Sequence, residues 1–196
     1  MRRKTFDALV SAGGLVLAAV LLVAGGLLMW GYSFSNGQVH DQLVAQKIVF
    51  PTTSNAEFKA LPAADQAAMG AYAGQALTTG AQAKTYADHF IAVHLTEMSK
   101  GQTYSQLSAA SLAQPKNTEL AGLVQTVFRG TTLRSMLLDA YGFWMFGQIA
   151  LFAAITSFIG AGLMFILSIA GLVHGRRVPA ETEVLAKSVH TSTVTA

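Results

Sequence analysis

Two long uncharged segments dominate the pattern of apolar and polar positions along the chain. No charged residue occurs in residues 8–32, and none occurs in residues 140–173. A membrane-spanning α-helix needs roughly 20 apolar residues to cross a hydrocarbon core about 30 Å thick. Both segments exceed that length. We therefore predict two transmembrane helices, the first at residues 8–32 and the second at residues 143–173.

The second uncharged segment is longer than a bilayer requires. Its 34 residues would extend for about 51 Å as an α-helix, because each residue adds about 1.5 Å. We expect the start of this helix to leave the membrane and to continue into the region between the two spans. Tilt can absorb part of the excess length.

Residues that start and stop helices divide the region between the spans into short helical segments. Breaks are predicted at residues 33–37 and 130–132, and a turn at residues 50–55. The predicted helices are residues 38–49, a helix from Pro62 to about Leu77, residues 81–100 capped by Gly101, a short helix capped by Thr103 that runs to about Ala113, and a helix capped by Asn117 or Thr118. The break at residues 130–132 separates this last one from the final helix, which contains the second span. The fold class is therefore all-α: two transmembrane helices anchor a helical domain at residues 33–142, and the second span is continuous with that domain.

Basic residues flank both predicted spans on the sides that face the chain ends. Arg2, Arg3 and Lys4 precede the first span, and Arg176 and Arg177 follow the second. Basic residues near the ends of a span favour the cytoplasmic side of a membrane. We therefore predict that both termini are cytoplasmic and that the chain crosses the cell membrane twice.

The predicted topology leaves short tails inside the cell and a larger region outside it. Residues 1–7 and 174–196 form the tails, and we expect residues 178–196, which are rich in Thr, Ser and Val, to be disordered. Residues 33–142 are extracytoplasmic and carry seven basic and seven acidic residues. A neutral region without a basic stripe argues against a nucleic-acid partner.

The composition supports a membrane protein and excludes several kinds of chemistry. Apolar residues make up 52% of the chain and charged residues only 12%, whereas charged residues make up about a quarter of a typical soluble domain. The chain has no cysteine. Disulfides, thiol nucleophiles, cysteine-ligated zinc, iron–sulfur clusters and thioether-linked haem are therefore excluded.

A cleaved signal peptide is the alternative explanation for the first span. The basic start of the chain suits one, but the apolar run is longer than the usual 7–15 residues, and no clear small-x-small cleavage site follows it. Trp30 and Tyr32 instead occupy the position of an interfacial aromatic belt. We favour an uncleaved anchor.

The segment at residues 85–101 contains two histidines and two carboxylates within ten residues. On a regular helix His89 and His94 lie about 140° apart, since each residue turns the helix by about 100°. They cannot share one metal-binding face, which uses i,i+3 or i,i+4 spacing. We expect His94 to face the core and to bond to Glu97 or a neighbouring helix, and His89 to be solvated. A metal site completed from elsewhere, or a proton-handling site, is the alternative.

The predicted spans carry polar, small and aromatic residues that packing or the membrane interface can explain. Gln148 is expected to bond to another helix, because an amide in hydrocarbon needs a partner. Small residues four apart allow close approach of helix backbones, although alanine is abundant here. These pairs are Gly14 with Ala18, Ala150 with Ala154, and Ala153 with Ser157 and Ala161. An aromatic belt is expected from Tyr141, Phe143, Trp144 and Phe146.

Several short motifs resemble a family of two-span actinobacterial membrane proteins. They are YADHFIAVHL at residues 86–95, GQTYS at residues 101–105, FRGxxLR at residues 128–134, AYxFW at residues 140–144 and GQI at residues 147–149. The resemblance extends to accessory proteins called respiratory supercomplex association factors. It implies a position beside a bc1–cytochrome oxidase assembly, and it carries over no cofactor ligand.

The sequence therefore predicts a non-catalytic accessory or assembly subunit of a larger membrane complex. No catalytic, cofactor-binding or metal-binding residue is assigned. Transporters usually require charged residues within their spans, and neither predicted span contains one. One alternative is an extracytoplasmic protein that binds or senses a ligand or lipid. Another is a membrane-bound enzyme or redox protein that uses His94, Glu97 and the distant His40.

Overall fold

A computed structural model describes residues 2–177 and Pro179, and these residues form an all-helical fold. The α-helices are α1 (Arg3–Gln46), α2 (Ala56–Ala60), α3 (Ala63–Gly70), α4 (Gly80–Tyr86), α5 (Ala92–Ser99), α6 (Tyr104–Ala113) and α7 (Thr118–Arg177). A π-helical segment, Ala87–Ile91, joins α4 to α5. Within the described residues there is no strand, only an isolated antiparallel bridge between Val49 and Ala76. The predicted all-α class is confirmed.

Helices α1 and α7 are each long and apolar enough to cross a membrane, as predicted. Both continue through positions where breaks were predicted. Helix α1 passes residues 33–37, where Ser35 is buried, and packing overrides a weak local preference against helix. Helix α7 passes residues 130–132, where the Thr132 hydroxyl donates to the Phe128 carbonyl at 2.9 Å and is thereby satisfied within the helix.

The chain divides into two compact units. The helix-pair unit contains the described parts of Met1–Trp30 and Leu151–Ala196. The helical unit contains Gly31–Ala150. Each long helix thus contributes one part to each unit.

Within the helix-pair unit, α1 and α7 run antiparallel and meet through small residues. A methyl group added at Gly14 would overlap Ser168, and one added at Gly171 would overlap Ser11. The buried small positions recur every seven residues, the spacing of a left-handed helix pair. They are Ser11, Ala18 and Gly25 on α1, and Ala154, Ala161 and Ser168 on α7. The predicted close packing is confirmed for Gly14, Ala18, Ala154 and Ala161.

The helical unit has its own hydrophobic core. Its buried members are Val39, Leu43, Phe50, Phe58, Leu61, Met69, Leu77, Ala83, Ala87, Ile91 and Leu137. Phe50, on the predicted turn, is almost fully buried. The amide of Phe50 donates to the Gln75 carbonyl at 2.9 Å, and the amide of Leu77 donates to the Ile48 carbonyl at 2.9 Å. These bonds fasten the chain after α1 to the chain before α4.

Caps set the limits of the short helices. Thr103 and Gln106 form a capping box at the start of α6, and Lys100 and Gly101 adopt positive φ values of 52° and 77° at the end of α5. Both predicted boundaries are confirmed. The helix predicted from Pro62 to about Leu77 was too long, because α3 ends at Gly70.

The predicted disordered tail at residues 178–196 lies outside the described residues, apart from Pro179. The same holds for the tail histidine at position 190. The predicted span and tail boundaries stay predictions.

Candidate functional site

The π segment determines where the histidines and carboxylates of residues 85–101 lie. A π-helix makes i→i+5 bonds and inserts an extra residue into the turn. The angles expected for a regular helix therefore do not hold across Ala87–Ile91. Such segments are frequent at functional sites, and Asp88 and His89 both lie on this one.

Asp88 on the π segment joins two positive side chains. Lys84 Nζ donates to Asp88 Oδ2 at 2.6 Å, and Arg134 Nη2 donates to Asp88 Oδ1 at 2.7 Å. Arg134 Nε also donates to the Ala87 carbonyl at 3.2 Å. Burial raises the pKa of Asp88, but the hydrogen bonds and charges of Lys84 and Arg134 lower it more, so the pKa lies below its ordinary value. Asp88 therefore acts as an ionised link between the π segment and α7.

His89 was expected to be solvated, but it has a partner on another helix. Its Nδ1 lies 2.7 Å from Oδ1 of Asp65 on α3. The side chain of His89 is 39% exposed and that of Asp65 20%. The pair ties α3 to the π segment, and the expectation of a free, solvated His89 is corrected.

His94 is partly buried, but its partner is not the one expected. Its Nδ1 lies 2.8 Å from the Phe90 carbonyl oxygen, and its ring lies 4.4 Å from the Phe90 ring centroid. A carbonyl only accepts hydrogen bonds, so Nδ1 carries the proton. The expected bond to Glu97 or another helix is therefore wrong, because the carbonyl one turn back is closer at hand. Glu97 is exposed.

These residues remain separate and do not converge on one ligand position. Across residues 2–177 and Pro179, no group of three or more histidine, aspartate or glutamate residues could hold a metal ion. His40, the distant histidine of the redox alternative, lies exposed on α1. The contacts of Asp88 and His89 join neighbouring helices, and those of His94 stay within its own helical stretch.

A groove between α1 and α7 within the helical unit has a volume of about 520 Å³. We call it the α1–α7 groove. One wall is a row of amides on α1, Gln38, Gln42 and Gln46, each four residues from the next. The opposite wall is an apolar face of α7. Its main members are Leu133, Met136, Leu137, Ala140 and Phe143.

The α1–α7 groove combines exposed apolar surface with a single charge. Met136 is 62% exposed and Phe143 is 47% exposed. Asp139 is the only ionisable residue that lines the groove, and it has no hydrogen bond or ion pair among the described residues. An occupant would therefore need an apolar face beside hydrogen-bonding or positively charged groups.

The predicted aromatic belt is divided between packing and exposure. Trp144 packs against Gly80 and is partly buried on the core of the helical unit. Lys84 Nζ lies 5.4 Å from the centroid of the Tyr141 ring. Phe143 and Phe146 are exposed, as a belt requires. Trp144 therefore serves first to pack the helical unit.

Gln148 does not bond to another helix in the part of the chain that the structure describes, contrary to expectation. Ser35 provides a polar interhelical contact instead. Its hydroxyl donates to the Phe143 carbonyl at 2.6 Å, and a methyl group added at Gly147 would lie 3.0 Å from Ser35 Cβ. This contact fixes a close approach of α1 to α7 within the helical unit.

The groove was missed in the sequence, although two signals mark it. Glutamine recurs every four residues at Gln38, Gln42 and Gln46. The apolar residues of α7 also keep their helical spacing before the predicted second span, where a membrane does not require them. The chain matches no protein-family model, no curated protein and no solved structure. The resemblance to an actinobacterial two-span family stays a prediction.

Proposed function

We propose that the protein is a non-catalytic accessory or assembly subunit of a larger membrane protein complex. Its two apolar helices anchor it in the cell membrane with both termini in the cytoplasm, and its helical unit is extracytoplasmic. The α1–α7 groove is the docking site for a helix of the partner.

The observation that carries this proposal is the exposed apolar wall of the groove. Leu133 and Met136 precede the predicted second span, yet they are 41% and 62% exposed. Large apolar residues clustered outside a bilayer commonly mark an interaction site. Their i,i+3 spacing on one face of α7 suits an apolar helix packed along it.

The polar wall indicates the chemistry of the partner. The amides of Gln38, Gln42 and Gln46 can donate and accept hydrogen bonds, while Asp139 favours a positive charge. The occupant we propose is an amphipathic helix with an apolar face and a lysine or arginine placed to meet Asp139.

The resemblance suggests which complex to look for first. It implies a bc1–cytochrome oxidase assembly, whose haem groups absorb visible light. A tagged full-length chain purified from its native membranes in mild detergent should bring a multi-subunit complex with it. Haem absorption in the purified material would identify the respiratory partner, and its absence alongside other subunits would reassign the partner.

A matched pair of variants tests the groove itself. Met136→Asp places a charge in the apolar wall, and Met98→Asp places the same charge on α5, where Met98 is 45% exposed and lies outside the groove. We expect Met136→Asp to reduce co-purification at least tenfold and Met98→Asp to leave it unchanged. Equal recovery with both variants, or recovery of the wild-type chain alone, would contradict the proposal.

A second candidate function is the binding of a lipid or another amphiphile in the same groove. Its volume of about 520 Å³ lies within the range of about 300–1,000 Å³ typical of ligand sites, which are mostly apolar with a few placed polar groups. Mass spectrometry of the purified chain distinguishes the two. A stoichiometric amphiphile that is lost on Met136→Asp, without any protein partner, would favour this candidate.

A further inference from the structure

A second cavity lies in the helix-pair unit, where α1 begins and α7 ends. Its volume is about 340 Å³. It is lined by Lys4, Ala8, Gly171, Leu172, Gly175 and Arg176. We call it the basic crevice. It is separate from the α1–α7 groove, and the inference drawn from it rests on the membrane anchoring by α1 and α7 in the proposed function, not on the groove.

Small residues create the space in the basic crevice. The two helices approach closely at Gly171 and Gly175. Because Ala8 and these glycines fill little volume, a recess is left beside that contact. Lys4 is seven residues before Ser11, and so has the same helical position as the buried small residues of α1. Where the helix pair ends, that position is therefore taken by a long cationic side chain.

Lys4 and Arg176 provide one cation from each helix. Both are exposed, and neither has a hydrogen bond or an ion pair among the residues that the structure describes. Arg3, by contrast, lies with Nη2 3.5 Å from Nε2 of His174. Lys4 and Arg176 are therefore available to a ligand within the crevice.

The local charge favours an anion. Among the described residues, the ends of α1 and α7 carry five basic residues and one acidic residue. The basic residues are Arg2, Arg3, Lys4, Arg176 and Arg177. The acidic residue is Asp7. It lies close to the crevice residue Gly175, since its Cβ would be 3.3 Å from a methyl group added there. One Asp7 oxygen, Oδ2, is enclosed and has no hydrogen-bond partner in the described part of the chain. The balance remains strongly positive.

We propose that the basic crevice binds the phosphate group of an anionic phospholipid. Arginine can hold a phosphate with two parallel hydrogen bonds, and lysine binds it as a point charge. The crevice adjoins the ends of two helices that are long and apolar enough to cross a membrane, so it lies at the depth of lipid head groups. Basic pockets between spans are suited to such head groups.

The test measures binding of phosphatidylglycerol to the full-length, delipidated protein by native mass spectrometry. Lys4→Gln with Arg176→Gln removes both crevice cations. Arg2→Gln with Arg177→Gln removes two neighbouring charges that do not line the crevice. We expect the first pair to weaken binding at least tenfold, because it removes both direct charge-assisted contacts to the phosphate, which general surface attraction does not replace. The second pair should change it less than threefold.

Two further measurements separate a defined site from general attraction. Lys4→Arg with Arg176→Lys keeps both charges and should bind phosphatidylglycerol as the wild type does, which also controls for folding. Inorganic phosphate added in excess should not displace the lipid. Equal weakening by both glutamine pairs, equal binding of phosphatidylcholine, or displacement by inorganic phosphate would each overturn the assignment to an anionic lipid.

Discussion

The carboxylate of Asp88 accepts a 2.7 Å hydrogen bond from Nη2 of Arg134, and this contact joins the π segment to α7. Lys84 donates to the other oxygen of the same carboxylate at 2.6 Å. Asp88 therefore has a cation at each oxygen, one local and one distant in sequence. The distant contact is the one that stabilises the tertiary fold.

Asp88→Asn should lower stability at neutral pH but not in acid. The pKa of Asp88 is below its ordinary value of 3.8, so the ionised form stabilises the fold above the unfolded pKa. That contribution disappears as the pH falls through the lower folded pKa. We expect a loss of about 1 kcal/mol at pH 7, since the pair is partly exposed to solvent.

The measurement is thermal unfolding in detergent at a series of pH values from neutral to acidic. The gap between wild type and Asp88→Asn should close as the pH drops below about 4, the ordinary range of an aspartate. Glu97→Gln is the control, because Glu97 is exposed and makes no side-chain hydrogen bond or ion pair within the described residues. A gap that persists unchanged in acid would contradict the role of the charge.

Gly14 and Gly13 provide a matched pair in the helix-pair unit. A methyl group at Gly14 would overlap Ser168, whereas one at Gly13 would meet nothing within 4 Å. Gly14→Val should therefore destabilise the helix pair by about 1–3 kcal/mol, the usual cost of overpacking. Gly13→Val should have little effect on thermal unfolding. Similar losses from both would mean that the two helices do not meet at Gly14.

The absence of cysteine makes the antiparallel register directly testable. A Cβ atom added at Gly171 would lie 3.7 Å from the Cβ of Ser11, within the range of about 3.5–4.5 Å found in disulfides. Ser11→Cys with Gly171→Cys should form an intramolecular disulfide on mild oxidation. Mass spectrometry after thiol alkylation should show both thiols protected.

The control for this cross-link moves one cysteine to a position that faces away from the partner helix. Ser11→Cys with Gly162→Cys should remain alkylated at both thiols, because nothing lies within 4 Å of a methyl group at Gly162. Cross-linking of the control to the same extent, or none in the Gly171 pair, would contradict the register.

Local signals predicted the fold best where one residue type determines a backbone feature. The cap at Thr103 and the stop at Gly101 were predicted correctly, because each depends on residues within one turn. Thr79 and Gln82 form the same kind of capping box at the start of α4, which begins at Gly80, one residue before the predicted start at residue 81. The two apolar helices followed from length and hydropathy alone.

Features that depend on distant residues were less predictable. The π segment changes the direction of His89, which therefore pairs with Asp65, 24 positions earlier in the chain. The seam between the helices follows a seven-residue spacing of Ser11, Ala18 and Gly25, whereas the pairs predicted from the sequence are four residues apart. The groove was missed because α1 was expected to break before Gln38. An unbroken helix is required to place Gln38, Gln42 and Gln46 in one row.

Gly80→Ala should destabilise the helical unit although alanine is the better helix former. A methyl group at Gly80 would overlap the Cβ of Trp144, and a Cβ cannot move away without its backbone. The expected loss is about 1–3 kcal/mol from overpacking, set against a gain of about 0.5–1 kcal/mol for replacing glycine in a helix. Gly142→Ala, where nothing lies within 4 Å, should be neutral or stabilising. In thermal unfolding, Gly80→Ala should therefore lower the unfolding temperature, whereas Gly142→Ala should raise it or leave it unchanged. A stabilised Gly80→Ala would mean that Trp144 does not pack on the start of α4, and that it is free to serve the membrane interface.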